Sequence, residues 1–124
     1  MHDMIKPAED YLRFLGEGRF MIQRALESGR YVFYPRVAEP RTGGALEWIE
    51  ASGLGTVYAT TVQRSKPPAP DTNVVLVDLD EGPRMMSRVD GIAPHEVTIG
   101  MRVRARIVSE DGDPFVVFVP EAPA

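Results

Sequence analysis

The sequence predicts a mainly β protein with one helix at the N-terminus and a five-stranded antiparallel barrel at the C-terminus. Short apolar segments recur between turn residues from residue 46 onward, and in the clearest of them apolar and charged side chains alternate, as in a half-buried strand. The chain of 124 residues is 44% hydrophobic and 26% charged, which is typical of one globular domain with a single core.

Residues 1–17 make up the first predicted unit, with a short amphipathic helix at 7–16. Pro7 suits a first helical turn, and Glu9 and Asp10 favour a helix N-terminus. Apolar side chains then recur at helical spacing, so one face must be buried on this chain or on a partner. These side chains are Tyr11, Leu12, Phe14 and Leu15.

Residues 18–45 are predicted to form two short strands, 19–25 and 30–34, followed by a loop rich in proline and glycine. Four positions here have the spacing of the two cysteine knuckles that hold a tetrahedral zinc ion. They are Ala25, Ser28, Glu39 and Thr42. The chain contains no cysteine, although a glycine still follows each knuckle, at Gly29 and Gly43. We therefore predict a degenerate, zinc-ribbon-like segment, and we expect purified protein to contain no stoichiometric zinc.

Residues 46–124 are predicted to form the barrel domain. Its strand-like segments are 46–51, 55–64, 73–80, 83–89, 101–109 and 114–119. Alternation is cleanest at 101–107, where four apolar residues face one way and three arginines the other. A single helical turn at 94–97, between the third and fourth barrel strands, is typical of an OB fold. The predicted domain is thus a five-stranded OB-fold barrel.

Charge is unevenly distributed along the chain. The net charge is −4, which argues against nucleic acid as a partner, yet residues 13–41 contain six arginines and three glutamates. Such a local excess of positive charge suits a small anionic ligand, and a solvated arginine-rich surface explains it equally well. The candidate anion-binding residues are Arg24, Arg30, Arg36, Arg41, Arg64 and Lys66.

Catalytic motifs are lacking in the sequence. There is no nucleophile elbow, Walker loop or dinucleotide fingerprint, and His95 is better explained as a surface loop residue than as a general base. Asp78 and Asp80 point to one side of a strand but end it before a turn, which favours solvent exposure. We also find no secretion signal and no apolar run long enough to cross a bilayer, so we expect a cytoplasmic protein without a membrane partner.

Several segments together resemble one known family, the OB-fold acyl-CoA-associated proteins (the "DUF thirty-five" family). They are GEGRFMIQRA, SGRYVFYPR, LEWIEASGLGTVYATTVQR, VVLVDLDEGPRMMSRVDG and IGMRVRAR. The resemblance covers residues 8–119 and implies an N-terminal helix, a rubredoxin-like zinc ribbon and a C-terminal OB barrel. This chain departs from the family pattern at all four zinc-ligand positions, so zinc is not carried over.

The resemblance implies a non-catalytic accessory subunit that binds acyl-CoA or braces a thiolase-like, MaoC-like or ketosynthase-like acyl-CoA enzyme. The basic residues named above would then meet CoA phosphates, and an interface with the partner would use Tyr11, Phe14, Tyr31 and Tyr34. A stand-alone protein that binds or hydrolyses CoA or acyl-CoA is the alternative, and an OB fold that binds single-stranded nucleic acid is a weaker one. The sequence does not identify the partner, the acyl chain or the oligomeric state, and a homo-oligomer stays open.

Overall fold

The computed structural model describes residues 7–40 and 42–121. It confirms a mainly β chain that begins with one helix. The elements are α1 (Pro7–Gly16), β1 (Met21–Ala25), β2 (Tyr31–Val32), β3 (Leu46–Glu50), β4 (Leu54–Gln63), β5 (Thr72–Leu79), β6 (Arg84–Ser87), β7 (Arg102–Glu110) and β8 (Asp113–Pro120). A single 3₁₀ turn at Pro94–Glu96 lies between β6 and β7, where the sequence predicts a helical turn.

Strands β1, β2 and β3 form a small antiparallel sheet in the order β2-β1-β3. The sequence places the strand at 46–51 in the barrel domain, whereas β3 pairs with β1 along its whole length, from Met21↔Glu50 to Ala25↔Leu46. β1 is buried at four of its five positions, Gln23 among them, as is typical of a strand with a partner on each side. The predicted division of the chain at residue 46 stays a prediction.

The other five strands form one curled antiparallel sheet in the order β6-β5-β4-β7-β8. Its two edges meet at a parallel bridge between Val89 and Phe118. The amide N–H of Phe118 donates to the Arg88 carbonyl at 3.0 Å, and that of Asp90 donates to the Phe118 carbonyl at 2.8 Å. This strand order, the closing bridge and the turn between the third and fourth barrel strands are those of an OB fold.

Alternation along β7 occurs as the sequence predicts. Val103 is fully buried, whereas Arg102, Arg104 and Arg106 are exposed on the other face. The barrel interior consists mainly of branched aliphatic side chains from β4, β5, β7 and β8, together with Met85 of β6 and Phe118 of β8. Since these residues face one side of a pleated sheet, their burial fixes the register of the strands.

Helix α1 packs against β8 and β1. Leu15 is buried in the core, while the Tyr11 ring meets the edge of Phe33 with centroids 5.6 Å apart. The Phe14 ring contacts Trp48 in the same way at 5.2 Å. Burial raises the pKa of Tyr11, and the nearby Tyr34 hydroxyl adds to this effect. The apolar face of the helix is thus covered largely by this chain itself.

Substituting Gly55 by alanine is expected to destabilise the barrel by about 1–3 kcal/mol, as overpacking typically does. A methyl group on this residue would lie 2.6 Å from Val77 Cγ1 and 2.8 Å from the Asp78 carbonyl oxygen, and the latter is backbone that cannot turn aside. Chemical denaturation measures the loss. Gly16→Ala is the matched control, because that position has open space around it. An unchanged unfolding midpoint for Gly55→Ala would contradict the close packing of β4 on β5.

Candidate ligand-binding site

An open pocket of about 360 Å³ lies beside β2 and faces the turn before β6. Two of the predicted anion-binding residues, Arg30 and Arg36, come together in its wall. We call it the basic pocket, and its lining residues are Arg30, Tyr31, Val32, Phe33, Arg36, Glu39, Pro40 and Pro83. It combines guanidinium groups with two aromatic side chains, which suits an anion attached to a flat ring.

The guanidinium groups of Arg30 and Arg36 have no ion-pair partner among residues 7–40 and 42–121. Arg24 differs, because its Nε and Nη2 both donate to Glu47 Oε2, at 2.9 and 2.6 Å. These hydrogen bonds raise the pKa of Arg24. Arg24 is therefore engaged within the protein, whereas no ion pair engages Arg30 or Arg36 among the described residues.

The backbone at both pocket arginines is held by side chains. The Gln23 amide, buried in β1, donates through Nε2 to the Arg36 carbonyl and accepts the Arg36 N–H at Oε1, both at 2.7 Å. The Arg30 N–H donates to Ser28 Oγ at 3.1 Å. Fixed backbone positions lower the ordering cost when the guanidinium groups bind an anion.

Arg24, Arg64 and Lys66 do not line this pocket. Arg64 and Lys66 are exposed in the connection between β4 and β5, which is closed by a hydrogen bond from the Ser65 N–H to Asp71 Oδ1 at 2.9 Å. Arg41 lies outside the described residues. Of the five predicted residues that the structure describes, Arg30 and Arg36 thus share one pocket, and Arg24, Arg64 and Lys66 lie elsewhere.

A second, apolar groove of about 260 Å³ adjoins the basic pocket, since Phe33 lines both. It is bounded by side chains of α1, β6 and β8. Its lining residues are Tyr11, Phe33, Tyr34, Met85, Met86, Ser87, Arg88, Phe115, Val116 and Val117. At its rim Tyr34 is 55% and Met86 58% exposed, and the Met86 N–H donates to the Tyr34 hydroxyl at 3.3 Å.

The four predicted interface residues occupy different surroundings. Tyr11 and Tyr34 line the apolar groove, and Tyr31 lines the basic pocket. The guanidinium groups of Arg13 and Arg19 both lie over the Phe14 ring, with their central carbons 4.7 and 5.2 Å from the ring centroid. Three of the four therefore surround the same pair of cavities, and their role towards a partner stays a prediction.

The vacant knuckle positions are brought together by the fold. Ala25 is buried, and the Glu39 carboxylate, also buried, accepts a hydrogen bond from Ser28 Oγ and one from Thr42 Oγ1. Over the described part of the chain, no group of three or more histidine, cysteine or acidic residues is arranged to hold a metal ion. Of these four residues, Glu39 lines the basic pocket.

The groups that would serve the alternative functions are engaged or exposed. Arg102 donates to both carboxylate oxygens of Asp80, at 2.7 and 2.8 Å, and this lowers the pKa of Asp80. Asp78 is paired with Arg84 at 2.6 Å. His95 is exposed on the 3₁₀ turn. The two aspartates are thus bound to separate arginines and do not form a carboxylate pair.

The groove-lining residues of β6 and β8 could not be predicted from the sequence. Met85 and Met86 follow a turn and read as ordinary strand residues, and Phe115 lies in a strand that has no polar signal. The adjacent methionines are the one available hint, because flexible thioether side chains are common at adaptable binding surfaces. Their relation to Phe33 depends on the tertiary structure.

The closed five-stranded barrel, preceded by a helix and two knuckle-like turns, defines an OB-fold protein with an appended N-terminal segment. A family model described as the C-terminal OB-fold domain of ChsH2 matches residues 48–108. A DUF35 domain-containing scaffold protein of Pyrococcus furiosus is 30% identical over 115 residues, which cover 82% of each chain. The chain belongs to the DUF35 family, which is the family that the sequence resembles.

Two further comparisons concern a hydratase subunit and an aldolase. A probable enoyl-CoA hydratase alpha subunit of Thermomonospora curvata is 41% identical over 66 residues, or 48% of this chain, and this chain covers only 20% of that protein. The solved structure of the Ltp2-ChsH2(DUF35) aldolase contains a chain that superposes with a TM-score of 0.82 and 26% identity, covering 98% of this chain and all of that one. Within the described residues, no helix has the length and apolarity needed to cross a membrane.

Proposed function

We propose that this protein is a non-catalytic accessory subunit of an acyl-CoA-processing complex and that it contributes part of the acyl-CoA binding surface. The observation that carries the proposal is the pair of cavities that meet at Phe33. One is apolar, and the other contains two arginines that have no ion-pair partner among the described residues. Acyl-CoA has the same division, with phosphates at one end and an acyl chain at the other.

The basic pocket would take the nucleotide end of the ligand. A guanidinium group can donate hydrogen bonds to two oxygens of a phosphate. Arg30, which precedes β2, and Arg36, which follows it, offer two such groups. Tyr31 and Phe33 supply ring faces beside them for the adenine. The apolar groove would then receive the pantetheine arm or the acyl chain.

The comparisons support an accessory role. One relative is named a scaffold protein, another is named a subunit of a hydratase, and the solved structure is titled as an aldolase that contains a DUF35 component. By resemblance to the family, the partner proposed here is a thiolase-like, MaoC-like or ketosynthase-like enzyme. The reacting groups would belong to that partner, while this chain positions the substrate.

Isolated protein titrated with CoA is expected to bind it weakly, with a dissociation constant on the order of a millimolar, because the basic pocket is open and a partner would complete it. Nuclear magnetic resonance titration measures the affinity, and a free-thiol assay with acetyl-CoA measures turnover. A dissociation constant below about a micromolar, or release of free CoA, would instead support a stand-alone binding or hydrolysing protein. Salt-sensitive binding of an oligonucleotide would support the nucleic-acid alternative.

A further inference from the structure

Two turns of the N-terminal segment repeat the same backbone pattern. The Gly29 N–H donates to the Ala25 carbonyl and the Gly43 N–H donates to the Glu39 carbonyl, each at 2.9 Å. Both glycines have positive φ angles, 74° and 71°, which other residues rarely adopt. The turns begin at Ala25 and Glu39, the first and third of the vacant knuckle positions, so the knuckle geometry is present in a chain without cysteine.

The second and fourth knuckle positions are hydroxyl residues that also behave alike. Ser28 Oγ accepts the Arg30 N–H at 3.1 Å, and Thr42 Oγ1 accepts the Gly44 N–H at 3.0 Å. Each hydroxyl then donates to a different oxygen of Glu39, Ser28 to Oε2 and Thr42 to Oε1, both at 2.9 Å. One carboxylate therefore connects the two turns.

The donor set does not suit a structural zinc ion. Such sites use four thiolate or imidazole ligands, whereas these positions supply one carboxylate, two hydroxyls and a methyl group. Ala25 is 1% exposed and fills its position with an apolar side chain. Glu39 is 6% exposed, and a buried carboxylate is tolerated only when hydrogen bonds satisfy it, as the two hydroxyls do here.

We propose that Ser28, Glu39 and Thr42 form a metal-free clasp that fixes the two knuckle turns to each other, in the place where related ribbons would be held by an ion. The two O–H dipoles stabilise the Glu39 carboxylate through hydrogen bonds, without a cation at the centre of the site. As a further consequence, which rests on the proposed function, the clasp positions Arg30, because Ser28 Oγ accepts the Arg30 N–H and Glu39 lines the same pocket.

Glu39→Ala tests the clasp across the two turns. We expect amide hydrogen exchange at Arg30, in the other turn, and at Gly44 to become at least about tenfold faster, and the unfolding temperature to fall by roughly 3–8 °C. Glu47→Ala is the matched control, since Glu47, on β3 of the small sheet, forms a partly buried pair with Arg24 instead. Thr42→Ser should behave like the wild type, whereas Thr42→Val should reproduce the faster exchange at Gly44. Unchanged exchange at Arg30 in Glu39→Ala would overturn the proposal.

Metal readouts give a second test. A chelator should leave the unfolding temperature of the wild-type protein unchanged, and elemental analysis should find no stoichiometric zinc. The variant with Ala25→Cys, Ser28→Cys, Glu39→Cys and Thr42→Cys should bind one Co²⁺ with the visible spectrum of a tetrahedral thiolate site. About one zinc per wild-type chain, or no cobalt binding by the variant, would contradict the inference.

Failure of the clasp and failure of the proposed function are distinguishable, because hydrogen exchange and unfolding temperature are measured without CoA. Wild-type protein that binds no CoA, with the exchange response of Glu39→Ala intact, would overturn the function alone. Unchanged exchange in Glu39→Ala, with CoA binding intact in the wild type, would overturn the clasp alone.

Discussion

Replacing both Arg30 and Arg36 by alanine is expected to weaken CoA binding by roughly tenfold to a hundredfold. Both guanidinium groups line the basic pocket, and neither is neutralised by an acidic side chain among the described residues. A hydrogen bond to a charged group contributes on the order of 1.5–3 kcal/mol, and less in an open pocket, so two such contacts give an effect of this size. The fold should be unaffected, because both side chains are exposed.

The matched control carries Arg104→Ala and Arg106→Ala, which removes the same charge from an exposed strand face that does not line either cavity. Chemical-shift titrations with CoA and with adenosine 3′,5′-bisphosphate compare the two double variants. If binding depends only on net charge, both lose affinity equally, and that result would contradict a specific phosphate site. If Arg30→Ala with Arg36→Ala weakens binding of the bisphosphate and of CoA by the same factor, the two arginines contact the nucleotide end of CoA.

Phe118→Ala is expected to destabilise the protein by about 3–5 kcal/mol, the usual cost of truncating a buried aromatic side chain. Phe118 is 0% exposed and lies at the bridge to Val89 where the barrel edges meet. The backbone of Phe118 forms hydrogen bonds with Arg88 and Asp90, and these depend on the packing of the Phe118 side chain between the two barrel edges. The substitution therefore acts at the closure of the barrel as well as on the core.

Phe115→Ala, in the same strand, is the control. That ring is half-buried and lies 5.3 Å from the guanidinium carbon of Arg88, so its removal should cost roughly half as much or less. Urea denaturation monitored at Trp48 measures both variants. A loss for Phe118→Ala no larger than that for Phe115→Ala would contradict the closed barrel.

Much of the fold could be predicted from the sequence, because it depends on local patterns. The alternation in β7 places Val103 inside and its arginine neighbours outside, and Pro7 and Gly16 bound α1 as expected. The pairing of β3 with β1 could not be predicted from local sequence patterns. Met21 and Glu50 are far apart in sequence, and both the small sheet and the barrel could accept an apolar strand at that point.

The candidate site was less predictable, since it depends on contacts between distant residues. Six basic residues have similar sequence surroundings, yet only the tertiary structure shows that Arg24 is bound to Glu47 and that Arg30 and Arg36 share a pocket. Likewise, the sequence marks Glu39 as a vacant ligand position but does not show that its carboxylate joins two turns.

Isolation of the protein from its native cell under non-denaturing conditions, followed by mass spectrometry and a turnover assay on what is isolated with it, tests the accessory role most directly. We predict a stoichiometric partner that acts on an acyl-CoA, whose Michaelis constant for that substrate rises when this chain carries Arg30→Ala and Arg36→Ala. Recovery of the chain alone, or of a partner whose acyl-CoA turnover is the same with and without it, would contradict an accessory subunit that helps to bind acyl-CoA.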